Sequence, residues 1–332
     1  MLENIEIGIS VGDLNGIGLE VIVKSFKKFK TPKSCTLILF GQKKLCDIYL
    51  KNIKNSTQLN LISNINDAVN NKLNIINAKN NNATLELGKK SVLSGLNSYN
   101  SLKLASSYLQ NKHIDAIVTA PIDKSSIRES VQDFIGHTEF LEKEFIGTSL
   151  MLMLSSKMKI AFVTGHVPIL KVSKLITKRK IINTVFLLNS SLKKDFNIQN
   201  PKIAVLGLNP HAGEDGILGD EEIKVIIPAI KEINKFGINS EGPFPADSFF
   251  VEENLGKYDG IIAMYHDQGL IPFKSQSFSK GVNFTAGLDI TRTSPVHGTA
   301  YNIAGKNQAN ESSLAYAIEQ AIEIEKNRKI SL

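Results

Sequence analysis

The sequence predicts an α/β fold of two domains built on mostly parallel β-sheets. Three observations carry this expectation. Short apolar runs recur that are unbroken rather than alternating, as in strands covered on both faces. Helical patterns lie between them, the alternation of βαβ units. The chain has 332 residues, more than one compact domain usually holds.

The elements follow one plan from the N-terminus. Residues 5–11 form a strand candidate stopped by Gly12-Asp13, and residues 19–29 read as a helix after a glycine-rich turn. Residues 36–40 form a second strand, stopped by Gly41. Residues 51–83, rich in Asn, Lys and Ile, read as a variable surface region without a functional role. A helix over 98–110 precedes a strand over 116–120 that runs into Pro121. The strand over 160–163 runs into Thr164-Gly165-His166, and a helix over 177–192 follows. Residues 203–206 lead through Gly207 to Asn209-Pro210-His211, then a helix over 220–235. Residues 260–264 run into Tyr265-His266-Asp267. The last helix, 312–326, places Ala315, Ile318, Ala321 and Ile322 at helical spacing. No Pro/Ser-rich linker marks a boundary, so the two domains are expected to share one continuous sheet.

Composition narrows the function classes. Hydrophobic residues make up 42% and charged residues 21%, a globular rather than a disordered balance. The net charge of +7 raises nucleic-acid binding as a possibility. Its one cluster, Lys24, Lys27, Lys28, Lys30 and Lys33, lacks interleaved aromatics, and no nucleic-acid-binding motif appears. The cluster reads as a solvated helix face, and a basic surface suits anionic substrates. Cys35 and Cys46 form no CxxC, so neither a disulfide framework nor a thiolate metal site is expected. Acidic residues stand where a secretory leader needs basic ones. No run approaches the roughly 18 apolar residues of a membrane span. A soluble cytoplasmic protein is expected.

Six histidines are present: His113, His137, His166, His211, His266 and His297. Three of them, His166, His211 and His266, end strand patterns. Ligands of open α/β sheets bind outside the carboxyl ends of strands, and three imidazoles leaving one position open suit a catalytic divalent metal. A lone histidine at a strand end is more often a hydrogen-bonded loop residue; three at equivalent positions are either a shared metal site or separate loop residues, since the pattern does not show that the rings converge. Asp267 is either a partner that fixes the His266 tautomer or a turn residue. His113 reads as a surface loop residue.

Other segments offer groups for an anion. The turn from Gly12 to Glu20 is either an amide cradle at a helix start or a plain tight turn. It is neither a GxGxxG fingerprint nor a P-loop. Lys124 follows a strand, and Gly136-His137-Thr138-Glu139 sets imidazole and hydroxyl donors together. Lys274, Asn283 and Arg292 lie in a stretch with little regular pattern. Arginine presents a fork that matches carboxylate or phosphate.

Across nearly its whole length the chain resembles the 4-hydroxythreonine-4-phosphate dehydrogenases of vitamin B6 (pyridoxal phosphate) biosynthesis. The resemblance rests on Gly12–Glu20, Thr119-Ala-Pro-Ile-Asp-Lys124, Gly136-His-Thr-Glu139, Asn209-Pro-His-Ala-Gly-Glu214, Pro245-Ala-Asp-Ser248, Tyr265-His-Asp-Gln-Gly269, Val282-Asn-Phe-Thr285 and Arg292–Ala300, with Ala304-Gly305 beyond. Leu14 and Leu19 stand where the family usually has proline, and Asn15 where it usually has alanine. The resemblance implies an isocitrate/isopropylmalate-dehydrogenase-like fold with the active site in a cleft, assembled as a homodimer. It implies a first, cofactor-side domain over 1–130 plus 285–332. The second, over 131–284, would carry metal, substrate and dimer contacts. By motif, His166, His211 and His266 resemble the metal ligands, drawn from both subunits, for zinc, magnesium or cobalt. His137, Thr138, Lys274, Asn283 and Arg292 resemble the substrate binders. The loop with His297, Gly298 and Asn302 resembles the one lying against NAD or NADP.

The implied reaction oxidises the C3 hydroxyl of 4-phosphooxy-L-threonine. The product, 2-amino-3-oxo-4-phosphooxybutanoate, loses CO2 to give 3-amino-2-oxopropyl phosphate. Asp247 and Lys124 are the candidates for proton transfer; the plainer role for Asp247 is a helix N-cap after Pro245. Three rivals remain: a sister dehydrogenase for a phosphorylated threonate or erythronate, an acyl-phosphate enzyme of related fold, and a nucleic-acid binder.

Overall fold

A computed structural model describes residues 4–28, 35–79, 82–277 and 280–330. The expectations for Phe29, Lys30, Lys33, Asn80, Asn81 and the first three residues lie outside the described residues. The strands in chain order are β1 (Ile5–Ser10), β2 (Cys35–Gly41), β3 (Leu59–Leu61), β4 (Leu73–Asn77), β5 (Ala116–Thr119), β6 (Gly147–Leu154), β7 (Lys159–Phe162), β8 (Lys202–Leu206), β9 (Asn239–Phe244), β10 (Gly260–Ala263), β11 (Val282–Leu288) and β12 (Thr291–Pro295). The chain gathers into two compact units, Met1–Gly147 with Leu288–Lys326 and Thr148–Gly287 with Asn327–Leu332.

The first unit holds the order β3-β4-β2-β1-β5-β12, and every one of these pairings is parallel. Its central strands are buried on both faces, as in covered parallel sheets. Ile38, Phe40, Ile76 and Ile117 pack with Leu102, Ala105 and Leu109 of the helix Val92–Gln110. Ser91 caps that helix, its hydroxyl accepting from the Ser94 amide. The capping residue explains why the helix starts several residues before the apolar spacing shows it.

Residues 51–83 are a correction to the sequence expectation. This segment supplies β3 and β4, and β4 is buried over Leu73, Asn74, Ile75 and Ile76. Its strands escape notice because asparagines interrupt them. Asn74 is nevertheless buried, its amide donating to the Leu37 and Val69 carbonyls, which removes the cost of an unpaired polar group.

The second unit holds the order β11-β6-β7-β10-β8-β9. The β7-β10-β8-β9 pairings are parallel and β6 runs antiparallel to β7. The helix Lys178–Lys194 buries Ile181, Val185, Leu188 and Leu192, one helical face. The helix expected over 220–235 begins with a π-helical turn, Glu222–Ile226, and continues as Ile227–Lys235. A second correction concerns Lys274, Asn283 and Arg292. They lie on regular elements: the helix His266–Ser277, β11 and β12. Pro272 sits inside that helix, and its missing N–H breaks the pattern by which a helix is recognised. Among the described residues, no helix is long and apolar enough to cross a membrane.

Gly12 follows β1 with φ of +65°, and a Cβ there would collide with the Pro121 carbonyl oxygen. Both backbone conformation and space therefore demand glycine. We predict that Gly12→Ala lowers unfolding stability by more than about 1 kcal/mol. Urea-denaturation midpoints of the two proteins check this, and coincident midpoints would refute it.

Candidate functional site

The second unit places three imidazoles at neighbouring strand ends. His166 follows β7, His266 follows β10 and His211 follows β8, and β10 lies between the other two strands. Parallel pairing brings all three to the carboxyl edge, where open α/β sheets bind ligands. The His166 and His266 rings stand 5.3 Å apart between centroids. They line a cavity of about 250 Å³ with Gly165, Tyr265 and Asp267. The His266 Nδ1 lies 2.6 Å from the Asp267 carboxylate. That contact engages Nδ1 and leaves Nε2 as the ring nitrogen for a ligand.

His211 sits differently. Residues 211–215 all have positive φ, from 42° at Glu214 to 86° at Gly213, and form a left-handed turn. Such geometry costs roughly 1–2 kcal/mol for each non-glycine residue and persists only where neighbours enforce it. Among the described residues, no three His, Cys, Asp or Glu side chains form a ready metal-binding group. Imidazole donors on adjacent strand ends, with one tautomer set by a carboxylate, fit a divalent transition metal in chemistry. Asp247 is exposed in the first turn of the helix Ala246–Phe249, whose N-cap is Pro245. The N-cap reading of Asp247 is thus corrected: proline, with no side-chain acceptor, holds that position. Lys274 is exposed and Asn283 half-buried.

In the first unit, Arg292 is 3% exposed on β12. Its Nε and Nη2 donate to the Thr119 hydroxyl at 3.0 and 2.6 Å. Burial pushes its pKa down to about 10, while the Glu139 carboxylate acts the other way. His137 opens the helix His137–Glu144, and its Nε2 is buried without a hydrogen-bond partner. Burial first, then the positive charges of Arg292 and Lys124, hold its pKa well below the ordinary value. A Cβ on Gly136 would meet the Glu139 carboxylate at 2.7 Å and the Lys124 ammonium at 2.9 Å, so both lie against this turn. Thr138 follows, half-buried. The result is a basic recess with a neutral imidazole, suited to anionic oxygens.

The turn from Gly12 to Glu20 resolves as a structural junction. The amides of Asp13, Asn15, Gly16 and Ile17 already donate to Pro121, Asp13 and Thr299 oxygens. The buried Asp13 carboxylate accepts from Ser94, and from the Tyr301 hydroxyl at 2.7 Å. Asn15 accepts from the Glu86 amide and donates to the Lys89 carbonyl. The Ile17–Thr299 and Tyr301–Asp13 bonds fasten the loop carrying His297, Gly298 and Asn302. The His297 Nε2 is buried and unpartnered, and a Cβ on Gly298 would meet open space. An orphaned donor or acceptor beside open space fits a ligand such as a nicotinamide nucleotide. Of the basic cluster, Lys24 is tied to Glu20, Asn307 and Ala309, and Lys28 to Glu311. His113 is exposed, its ring packed on Tyr108.

Sequence reasoning gave no role to Thr119, Gln268 or Glu222, which the structure buries beside these groups. Thr119 lies 173 residues from Arg292, and no local pattern reports a pairing of that reach.

A family model described as pyridoxal phosphate biosynthetic protein PdxA matches residues 33–321. A 4-hydroxythreonine-4-phosphate dehydrogenase of Bacteroides thetaiotaomicron is 42% identical over 99% of this chain and 91% of its own. A Clostridium botulinum relative, provisionally named a D-threonate 4-phosphate dehydrogenase, is 36% identical over 94% of each chain. The crystal structure of a Klebsiella pneumoniae 4-hydroxythreonine-4-phosphate dehydrogenase has a TM-score of 0.86 and 31% identity, covering 97% of this chain and 100% of its own.

His137 sets a pH dependence. Its folded pKa lies below the unfolded value near 6.5, so below that pH the unfolded chain binds a proton the folded chain refuses. Stability therefore falls as pH drops from about 6.5. His297, also lowered by burial, acts in the same direction. We predict that His137→Asn reduces the slope of unfolding free energy between about pH 6.5 and pH 5 by up to about 1.4 kcal/mol per pH unit. Denaturant titrations at stepped pH measure it; an unchanged slope means that His137 charges in the folded protein.

Proposed function

Because the chain belongs to the family of pyridoxal phosphate biosynthetic proteins PdxA, we propose that it oxidises the C3 hydroxyl of 4-phosphooxy-L-threonine. The β-keto acid so formed, 2-amino-3-oxo-4-phosphooxybutanoate, loses CO2 to give 3-amino-2-oxopropyl phosphate. The observation that carries the reading is the set of three histidines on three adjacent parallel strand ends.

His166, His211 and His266 would hold a divalent metal such as zinc, magnesium or cobalt, and the loop with His297, Gly298 and Asn302 would face NAD or NADP. When bound, the metal supplies a Lewis acid for the C3 oxygen and the nicotinamide a hydride acceptor. Arg292, His137, Thr138, Lys274 and Asn283 bind the phosphate and carboxylate and hold C3 in one orientation. A neutral His137 can donate one hydrogen bond without adding a charge to be neutralised. Lys124, beside Gly136 and Glu139, and the exposed Asp247 are the groups assigned to proton transfer at the hydroxyl and at the carbon left by CO2.

The ligands are proposed to come from both subunits of a homodimer. Large apolar side chains stand exposed just past each histidine: Leu170 at 90%, Ile217 at 79% and Ile271 at 67%. Exposed apolar residues next to polar ligands are what a subunit interface would cover. A second reading, a sister dehydrogenase for a phosphorylated threonate or erythronate, draws support from the Clostridium botulinum relative. It would use the same metal and hydride chemistry with a hydroxyl in place of the amine.

We predict turnover of 4-phosphooxy-L-threonine with NAD or NADP and its loss in chelator; near-normal turnover without metal would remove the metal role. A panel including threonate and erythronate phosphates separates the two readings by kcat/KM. We expect His211→Ala to lower kcat/KM at least about a hundredfold with the dimer intact on size-exclusion chromatography. Arg292→Ala should raise KM about tenfold or more; an unchanged KM excludes Arg292 from the binding set.

A further inference from the structure

The strand ladder beneath the three histidines stops short of them. The last β10–β8 partners are Ile262 and Val205, and the last β10–β7 partners are Ala263 and Phe162. Past those points, backbone amides and buried side chains continue the connection, beginning with the Val163 amide, which donates to the Ala263 carbonyl at 2.9 Å. Thr164, between β7 and His166, donates its amide and hydroxyl to the Met264 carbonyl at 3.1 and 2.8 Å. The Met264 amide, two residues before His266, donates to the Gln268 side-chain oxygen at 2.6 Å. The Gln268 side-chain nitrogen donates to the Gly207 carbonyl at 2.7 Å. Gly207 begins the turn that reaches His211. On that turn the Glu222 carboxylate, 1% exposed, accepts from the Leu208 and Asn209 amides at 2.6 and 2.8 Å. It also accepts from the Asn209 side chain at 2.9 Å.

Gln268 is the link between the two strand ends, and only glutamine satisfies both. The Met264 N–H needs an acceptor and the Gly207 carbonyl needs a donor, which fixes the orientation of the amide. Glutamate would face the Gly207 carbonyl with a second acceptor. Methionine would leave both backbone groups buried and unpaired. Gly269 lets the helix come this close: a Cβ there would meet Phe162 at 2.7 Å and Ile160 at 2.9 Å.

We propose that Gln268 is a positioning residue: by bridging Met264 and Gly207 it holds the His266 turn and the His211 turn of one subunit in place, and so tunes each metal site to which these turns contribute. Glu222 completes the brace by holding the left-handed turn that carries His211. The inference rests on the metal reading above. Groups that orient metal ligands typically change affinity by about 10–100-fold when altered.

The test uses the full-length protein freed of metal and titrated with cobalt(II) alone, followed by its visible absorption. Thermal melts in chelator run in parallel. Gln268→Met and Gln268→Glu are expected to weaken cobalt affinity about 10–100-fold and to shift the absorption bands. Glu222→Gln, which keeps the shape of the side chain, should move affinity in the same direction and serves if a Gln268 variant does not fold. A glutamine that is merely structural would lower the metal-free melting temperature and leave cobalt affinity and spectrum unchanged. That result overturns the inference alone. Wild-type protein with no cobalt spectrum overturns the metal reading and this inference with it.

Discussion

Parallel pairing of β7, β10 and β8 is the constraint on which the candidate site depends. In parallel pairs, successive strands enter the sheet from the same side, so their carboxyl ends fall along one edge. His166, His266 and His211 each follow one of these ends within a few residues. Their neighbourhood therefore comes from backbone hydrogen bonds formed well inside the unit, among Ile160–Phe162, Ile203–Val205 and Gly260–Ala263. The core beneath is almost wholly buried apolar side chain, and close packing gives it little freedom to shift.

The turn at His211 shows the cost of reaching such a position. A run of left-handed residues is unfavourable for any L-amino acid other than glycine, and here it continues from His211 to Asp215. Its near end is pinned by the buried Glu222 carboxylate, which takes three hydrogen bonds from Leu208 and Asn209. A buried carboxylate is tolerable because those donors replace its lost water. Stability given up in the turn is thus offset by a local network, a pattern found where geometry matters more than comfort of the chain.

Electrostatics organise the first unit. Arg292 and Lys124 set positive charge beside the His137 imidazole. Burial lowers the pKa of Arg292 to about 10, still far above neutrality, so it remains a cation. The same burial, aided by Arg292 and Lys124, keeps His137 neutral. One environment thus yields a permanent charge and an uncharged hydrogen-bonding ring, because the two groups start from reference values about six pH units apart. The overall charge of +7 is a weaker guide, since Lys24 and Lys28 are tied to acidic and carbonyl oxygens on their own surface.

The sequence by itself determined the α/β class, the strands that end in His166, His211 and His266, and the family resemblance. Each is written locally, in unbroken apolar runs or in short ordered motifs. It also marked Arg292 and His137 by residue type. It did not show β3 and β4, whose asparagines are satisfied by the neighbouring strand and the preceding turn, nor the helix interrupted by Pro272. Tertiary structure alone decided that β10 lies between β7 and β8, because strand order is a matter of pairing rather than of sequence spacing. It alone brought Thr119 to Arg292, Asp13 to Tyr301, and Gln268 to Gly207. Such contacts join residues whose local sequences carry no trace of each other; they exist only once burial makes an unpaired polar group too costly to leave.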